Sequence, residues 1–357
     1  VYDSGFGEGG SEIVAVYPKD DLMLITNGEA DRVDIVDISD PDAPFLVTSV
    51  DTSTIGGGIQ SVAVRTKGVG AAAVEGANPL DDGSVVLFEL DGTVDAVIEV
   101  GNLPDSIAFT PNGKYLVVAN EAEPVCWDAD GDADGNDDEE ELLADPEGSI
   151  SIIDVKKGKV RTADFSAWIG DEDELRADGV RIFFPGSSAA QDLEPEYVTV
   201  SENSKTAYVT LQENNAVAVV DIEKAEVTEI IPLGYQDHDE PGNGIDPSNR
   251  DDAEAIANWN VLGMYMPDAI AWAKLGNEKV FVTANEGDAR DYDCYSEEIR
   301  VKDFEAGEGT LVGGVAAQGL AAPYVLSDLD DENLGRLKTT TAFPTSLDDA
   351  DQVEQVY

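Results

Sequence analysis

Residues 130 to 141 read DGDADGNDDEEE, with carboxylates at Asp130, Asp132 and Asp134, a glycine at Gly135 and a glutamate at Glu141. This is the calcium-loop pattern D-x-[DN]-x-[DN]-G-x5-E, met at every specified position. Calcium takes roughly six to eight oxygen ligands, and carboxylates at alternate loop positions can wrap them round one ion. Asn136 would add its carbonyl, Asp138 a ninth-position carboxylate, and Glu141 both of its oxygens. The flanks are not those of an EF-hand: NEAEPVCW carries a proline and no helical apolar period, and Asp137 stands where an apolar residue is usual. The expectation is an isolated Ca2+ loop inserted in another fold. A bare, self-repelling acidic hairpin tip is the alternative.

A second set of acids recurs at one place in a repeated segment. After the second strand of each copy stand Asn27 and Glu29, then Glu75, Asn120 with Glu121, Gln212 with Glu213 and Asn214, and Asn285 with Glu286. Asp105, Glu194, Glu196 and Asp268 open their copies near the start of the first strand. Equivalent loops of successive repeats converging on one face would form an acidic ring. Glu29, Glu121, Glu194, Glu196, Glu213 and Glu286 are its candidate metal ligands, because clustered carboxylates need a cation. The plainer alternative is that these residues only close turns. If the ring is catalytic, Glu213, Glu286, Asp288 and Arg290 are the candidates. Metals would clamp phosphate and activate water, and Arg290 would grip the phosphate or instead pair with Asp288 or Asp291. His238 is the only histidine, which excludes a two-histidine zinc site. No G-x-S-x-G, P-loop or strand-borne GxGxxG is present.

The elements that must position these residues are strands. EIVAVYPKDDLMLITNGEADRVDIVDI, PDSIAFTPNGKYLVVANEAEP, EPEYVTVSENSKTAYVTLQENNAVAVVDI and PDAIAWAKLGNEKVFVTANEGDARDY share one word order of strand, turn, strand, polar loop, strand. They alternate with period two and are rich in Val and Ile. Repetition of such units predicts an all-β fold, a β-propeller; a β-sandwich explains the strands but not the repeated order. The whole chain, 1–357, reads as one domain with inserts at about 124–147 (the calcium loop), 165–192 (a cap with helical spacing over 171–184) and 233–264 (a polar loop).

Lys and Arg number 21 against 75 Asp and Glu, a net charge of −54, while 42% of residues are hydrophobic. A large core is therefore available, and the surface field disfavours nucleic acid and anionic membranes while favouring cations. No apolar run reaches the ~18 residues of a membrane span, and VYDSGFGEGG has none of the features of a secretion signal. Cys126 and Cys294 each lie in an acidic loop at the end of a similar segment. We expect a disulfide between them, and with it an oxidising, extracellular setting.

In LEPEYVTVS, LQENNAVAVVDI, MYMPDAIAW and TANEGDARDY the chain resembles the choice-of-anchor I family over nearly its whole length. That family comprises secreted propeller-like proteins similar to mesenchyme-specific cell-surface glycoproteins, and some relatives are described as atypical alkaline phosphatases. The resemblance implies a seven-bladed propeller, export, and attachment to a cell surface or matrix. The chain stops at Tyr357, before seven blades would close; it is then a fragment, or its remaining strands come from elsewhere. Two functions follow as expectations: a calcium-stabilised structural or adhesive module of a matrix or surface assembly, partnered by other copies or other domains of the polypeptide, or a metal-dependent phosphomonoesterase. A lectin-like role would draw on Trp127, Trp168, Trp259 and Tyr292.

Overall fold

Runs such as VGAAAV and YLVVAN are apolar on both faces, so a strand made of them needs cover on both sides. The computed structural model, which describes residues 2–7, 9–128, 140–304 and 311–357, meets this demand by stacking antiparallel sheets. The first sheet is β1 (Val14–Tyr17), β2 (Leu22–Asn27), β3 (Arg32–Asp37) and β4 (Phe45–Asp51); the second is β5 (Ile59–Arg65), β6 (Val69–Val74), β7 (Asp82–Glu89) and β8 (Val94–Asn102). The third has β9 (Pro104–Phe109) and β10 (Tyr115–Asn120), then an inserted hairpin of β11 (Val125–Asp128) and β12 (Glu140–Ala144), then β13 (Ser149–Asp154) and β14 (Lys159–Asp164). The fourth is β15 (Val198–Val200), β16 (Thr206–Leu211), β17 (Ala216–Asp221) and β18 (Glu226–Pro232).

Alternate residues of one strand enter different cores. Leu116 and Val118 of β10 pack with Ala71, Ala73 and Val85 of the second sheet. Val117 and Ala119 pack with Val198, Ala207 and Val209 of the fourth. Ala72 and Val74 of β6 likewise meet Leu24, Val33 and Ile35 of the first. The alternation expected of these strands thus chooses between two cores rather than between core and solvent. The first strands adjoin in series, β5 against β1, β9 against β5 and β15 against β9.

After Pro232 the pattern loosens. β19 (Tyr235–Asp237) pairs with β20 (Leu262–Met264) inside the polar insert. β21 (Pro267–Leu275) and β22 (Glu278–Asn285) form a two-stranded sheet against the fourth sheet, with Tyr208 and Phe281 ring centroids 5.7 Å apart. Short pairs follow: β23 (Asp291–Tyr292) with β24 (Tyr295–Ser296), β25 (Glu298–Arg300) with β28 (Lys338–Thr340), and β26 (Leu311–Val312) with β27 (Val315–Ala316). The helical spacing over 171–184 yields a shorter helix, α1 (Glu172–Asp178). Gly179, at φ 99°, closes it with its N–H on the Leu175 and Arg176 carbonyls, as glycine does at helix ends. Val180, Ile182 and Phe184 then run into the core, ahead of α2 (Ala189–Asp192). No helix among the described residues is long and apolar enough to cross a membrane.

Cys126 on β11 and Cys294 between β23 and β24 form the disulfide expected of them, across a sequence separation of 168. Reducing it should lower stability by up to about 5 kcal/mol, the closure entropy of so long a loop. The denaturation midpoint with and without reductant measures this, and equal midpoints would contradict it.

Candidate functional site

One backbone device, repeated, gathers the acids. In β9 the register slips between Asn120 and Ala119, leaving Asp105 out of the ladder; β21 does the same at Asp268, and β5 at Gln60. Such bulges re-aim a side chain. Just before them, Leu103 (φ 44°) and Met266 (φ 37°) adopt left-handed backbone ahead of a proline. Their carbonyls accept from the N–H groups of Glu121 (2.8 Å) and Glu286 (3.2 Å), and Gly58 does the same for Glu75 (3.0 Å). The end of each second strand is thereby pinned beside the start of its first.

The result is a crowd of carboxylates at one end of the sheets, most of them half-buried or buried. Burial, with the charges of Asp268, Glu123 and Glu75, pushes Asp105 up to about 7. Burial and neighbouring acids, Glu213 first, push Glu196 up to about 10. Glu213 rises to about 7, its burial partly offset by Arg290. Glu121 and Glu194 are held well above the carboxylate range, chiefly by burial, and Glu123 and Asp268 are raised for the same reason. Gln212, itself buried, donates to both Glu196 oxygens at 2.6 Å when its amide nitrogen is turned that way. A cavity of about 510 Å³ opens here, lined among others by Glu75, Asp105, Glu121, Glu123 and Cys126.

Behind the acids lies a buried ionic layer. Arg290, 1% exposed, is bound by Asp192 at 2.9 Å and Glu194 at 3.0 Å, and Tyr292 donates to Glu194 at 3.3 Å. Arg181 pairs with Glu297 and donates to the Glu213 carbonyl at 2.7 Å. The Phe183 ring lies 4.2 Å from the Arg181 guanidinium and 4.6 Å from that of Arg290. One oxygen each of Glu194 (1% exposed) and Glu213 (8% exposed) is buried with no hydrogen-bond partner.

Of the predicted ring, Glu121, Glu194, Glu196, Glu213 and Glu286 come within reach of one another's charge. Glu29 is exposed on its turn, with its N–H on the Gly9 carbonyl, and is not a member of the buried group. Glu286 and Asp288 are exposed at the rim. Arg290 corrects the expectation placed on it: its partners are Asp192 and Glu194, not Asp288 or Asp291, and it is not free to grip a phosphate. The asparagines make structural, long-range hydrogen bonds. Asn120 donates to Ser149 and Ser151, and Asn214 to Arg181 and Asp192. Sequence reasoning missed Glu123, Asp192, Arg181 and Glu297; an acid in each of NEAEP and DLEPE was the available signal. Asp130, Asp132, Asp134, Asn136 and Asp138 lie outside the described residues, and of Glu141 only the backbone, in β12, is described. Trp168 and Trp259 pack against apolar clusters.

Among the described residues the cavity is lined by carboxylates and no basic side chain, donors that suit a hard cation, while the two orphaned oxygens lie outside its lining, on Glu194 and Glu213. Yet among the described residues no three His, Cys, Asp or Glu side chains are gathered so as to hold one ion. An ion here would be held by fewer protein carboxylates and completed by water.

Successive antiparallel sheets whose strand ends converge on a carboxylate-lined cavity define the class of the molecule. The choice-of-anchor I domain matches residues 12–357, and the chain belongs to that family. No curated protein matches it. Among solved structures it is similar to hydrazine synthase of Kuenenia stuttgartiensis, at 15% identity and a TM-score of 0.39, over 77% of this chain and 83% of that one. It is also similar to a functionally unknown protein of Desulfotomaculum acetoxidans DSM 771, at 11% identity and a TM-score of 0.40, over 63% of this chain and 58% of that one.

The raised carboxyl values fix the direction of a pH effect. An acid whose folded value exceeds its unfolded value adds stability in full below about pH 4, and loses it as pH climbs through the folded value. For metal-free protein, the melting temperature should therefore fall between pH 5 and 8 as Asp105 and Glu213 ionise, and keep falling towards pH 10 with Glu196. Glu196→Gln should flatten the upper part of the curve; a wild-type curve rising with pH would refute the assignment.

Proposed function

We propose that the chain is an extracellular, acidic, calcium-binding β-propeller of the seven-bladed kind, serving as a structural or adhesive module of a cell surface or matrix. The observation that carries this is the buried carboxylate crowd with its two orphaned oxygens, Glu194 Oε1 and Glu213 Oε2. Ionised and bare, these groups repel; a divalent cation turns the same repulsion into cohesion. The four meanders with adjoining first strands support the propeller. The disulfide and the family support the surface location, and the DGDADGNDDEEE loop is a second calcium site on the β11/β12 hairpin. Partners are other domains or copies within a surface assembly; neither nucleic acid nor bilayer suits a net charge of −54.

A calcium titration of chelated protein, followed by thermal unfolding, tests this reading. Each occupied site should add about 2.7 kcal/mol once free calcium reaches ~100 times its Kd. Glu213→Gln should remove the share of the crowd, and Asp130→Asn with Asp132→Asn the share of the loop. A melting temperature indifferent to calcium would sink the reading.

One observation favours the phosphomonoesterase as a second reading: burial and neighbouring acids push Asp105 and Glu213 up to about 7, the range in which proton-transfer groups work best near neutral pH. Bound metals would have to supply the attraction for phosphate, since Arg290 is sealed in. On this reading p-nitrophenyl phosphate should turn over with restored calcium, and Glu213→Gln should lower the rate at least a hundredfold. Folded protein with no turnover across pH 5 to 10 and several metals would leave the module alone standing.

A further inference from the structure

A second cavity, of about 170 Å³, lies between the β19/β20 hairpin and the β25/β28 pair, and none of the crowded carboxylates lines it. Its acid, Glu298, is already paired with Lys338. Val261, Met264, Met266 and Leu337 give it apolar walls. Polar residues interrupt them, Thr340 and Tyr357 among them, and two bear on what could bind. Thr339, 7% exposed, has a buried hydroxyl with no hydrogen-bond partner. His238 is only half-exposed, and its Nδ1 lies 2.7 Å from the Asn243 carbonyl. A carbonyl only accepts, so the proton of the neutral ring sits on Nδ1 and Nε2 is left as an acceptor. That nitrogen lies against Gly263, where a Cβ would come within 2.6 Å of it; glycine keeps the ring in place.

We infer that this cavity binds a small hydroxyaromatic molecule, a phenol. Its volume is the share of about six water molecules, room for one ring. Thioether sulfurs make favourable contacts with aromatic rings, which suits Met264 and Met266 as walls. A phenolic hydroxyl both donates and accepts, the two capacities that the Thr339 hydroxyl and His238 Nε2 call for. A hydrocarbon such as toluene would leave the buried Thr339 hydroxyl unpaired, at the penalty that buried polar groups exact.

The chain has three methionines, Met23, Met264 and Met266, so methyl-labelled methionine reports the site and carries its own control. The experiment titrates p-cresol, and separately toluene, into the protein and follows the methionine methyl resonances. The expected result is saturable shifts at Met264 and Met266 with Met23 unmoved, and binding of p-cresol about tenfold tighter than toluene. Thr339→Val, close to the same shape, should remove most of that preference and leave toluene binding as it was. Absence of saturable shifts, equal affinity for the two probes, or an unchanged preference in Thr339→Val would each overturn the inference, the last two by showing that the polar pair selects nothing.

Discussion

The structure depends on the burial of Arg290 between Asp192 and Glu194. A guanidinium taken wholly out of water is tolerated only when its donors are matched, and here two carboxylates and the Asp192 carbonyl take them. The three residues come from α2, the link from α2 to the fourth sheet, and the stretch after β22. Their pairing therefore ties the helical insert and the later, irregular part of the chain to the regular sheets. Arg181 repeats the arrangement with Glu297, and Phe183 stands by both cations. Loss of either partner would strand a buried charge, a penalty of about 3–5 kcal/mol.

That layer also sets the chemistry in front of it. Arg290 is the cation that pulls down the carboxyls of Glu213 and Glu194, and it is already committed. The outer acids, Asp105, Glu121, Glu196 and Asp268, have other acids as their charged neighbours. The site is therefore short of positive charge by construction, and proton uptake or cation binding must compensate.

The strands and their order were legible in the sequence because each copy repeats one grammar, and the repeated PDSI and PDAI starts marked Asp105 and Asp268. The fate of Arg290 was not. Its partner Asp192 lies 98 residues away, and no periodicity within the NEGDARD segment reports so distant a pairing. Glu29 stands apart for a related reason: it shares its repeat position with Glu121 and Glu286, yet it is exposed and its turn packs on Gly9. The double-faced burial of VGAAAV and YLVVAN was readable as continuous apolar runs. Which core each residue entered was a property of the stacking.

Repetition explains why the acids can be assembled at all. A single strand end holding a buried carboxylate would relax by turning outward. Here a bulge, a left-handed residue and a proline fix the approach before the side chain has any choice, at Asp105 and again at Asp268. The strain is met by the apolar cores between the sheets, where Ile150, Ile152, Val209 and their neighbours are fully buried. Rigid scaffolding is what allows like charges to be held in register.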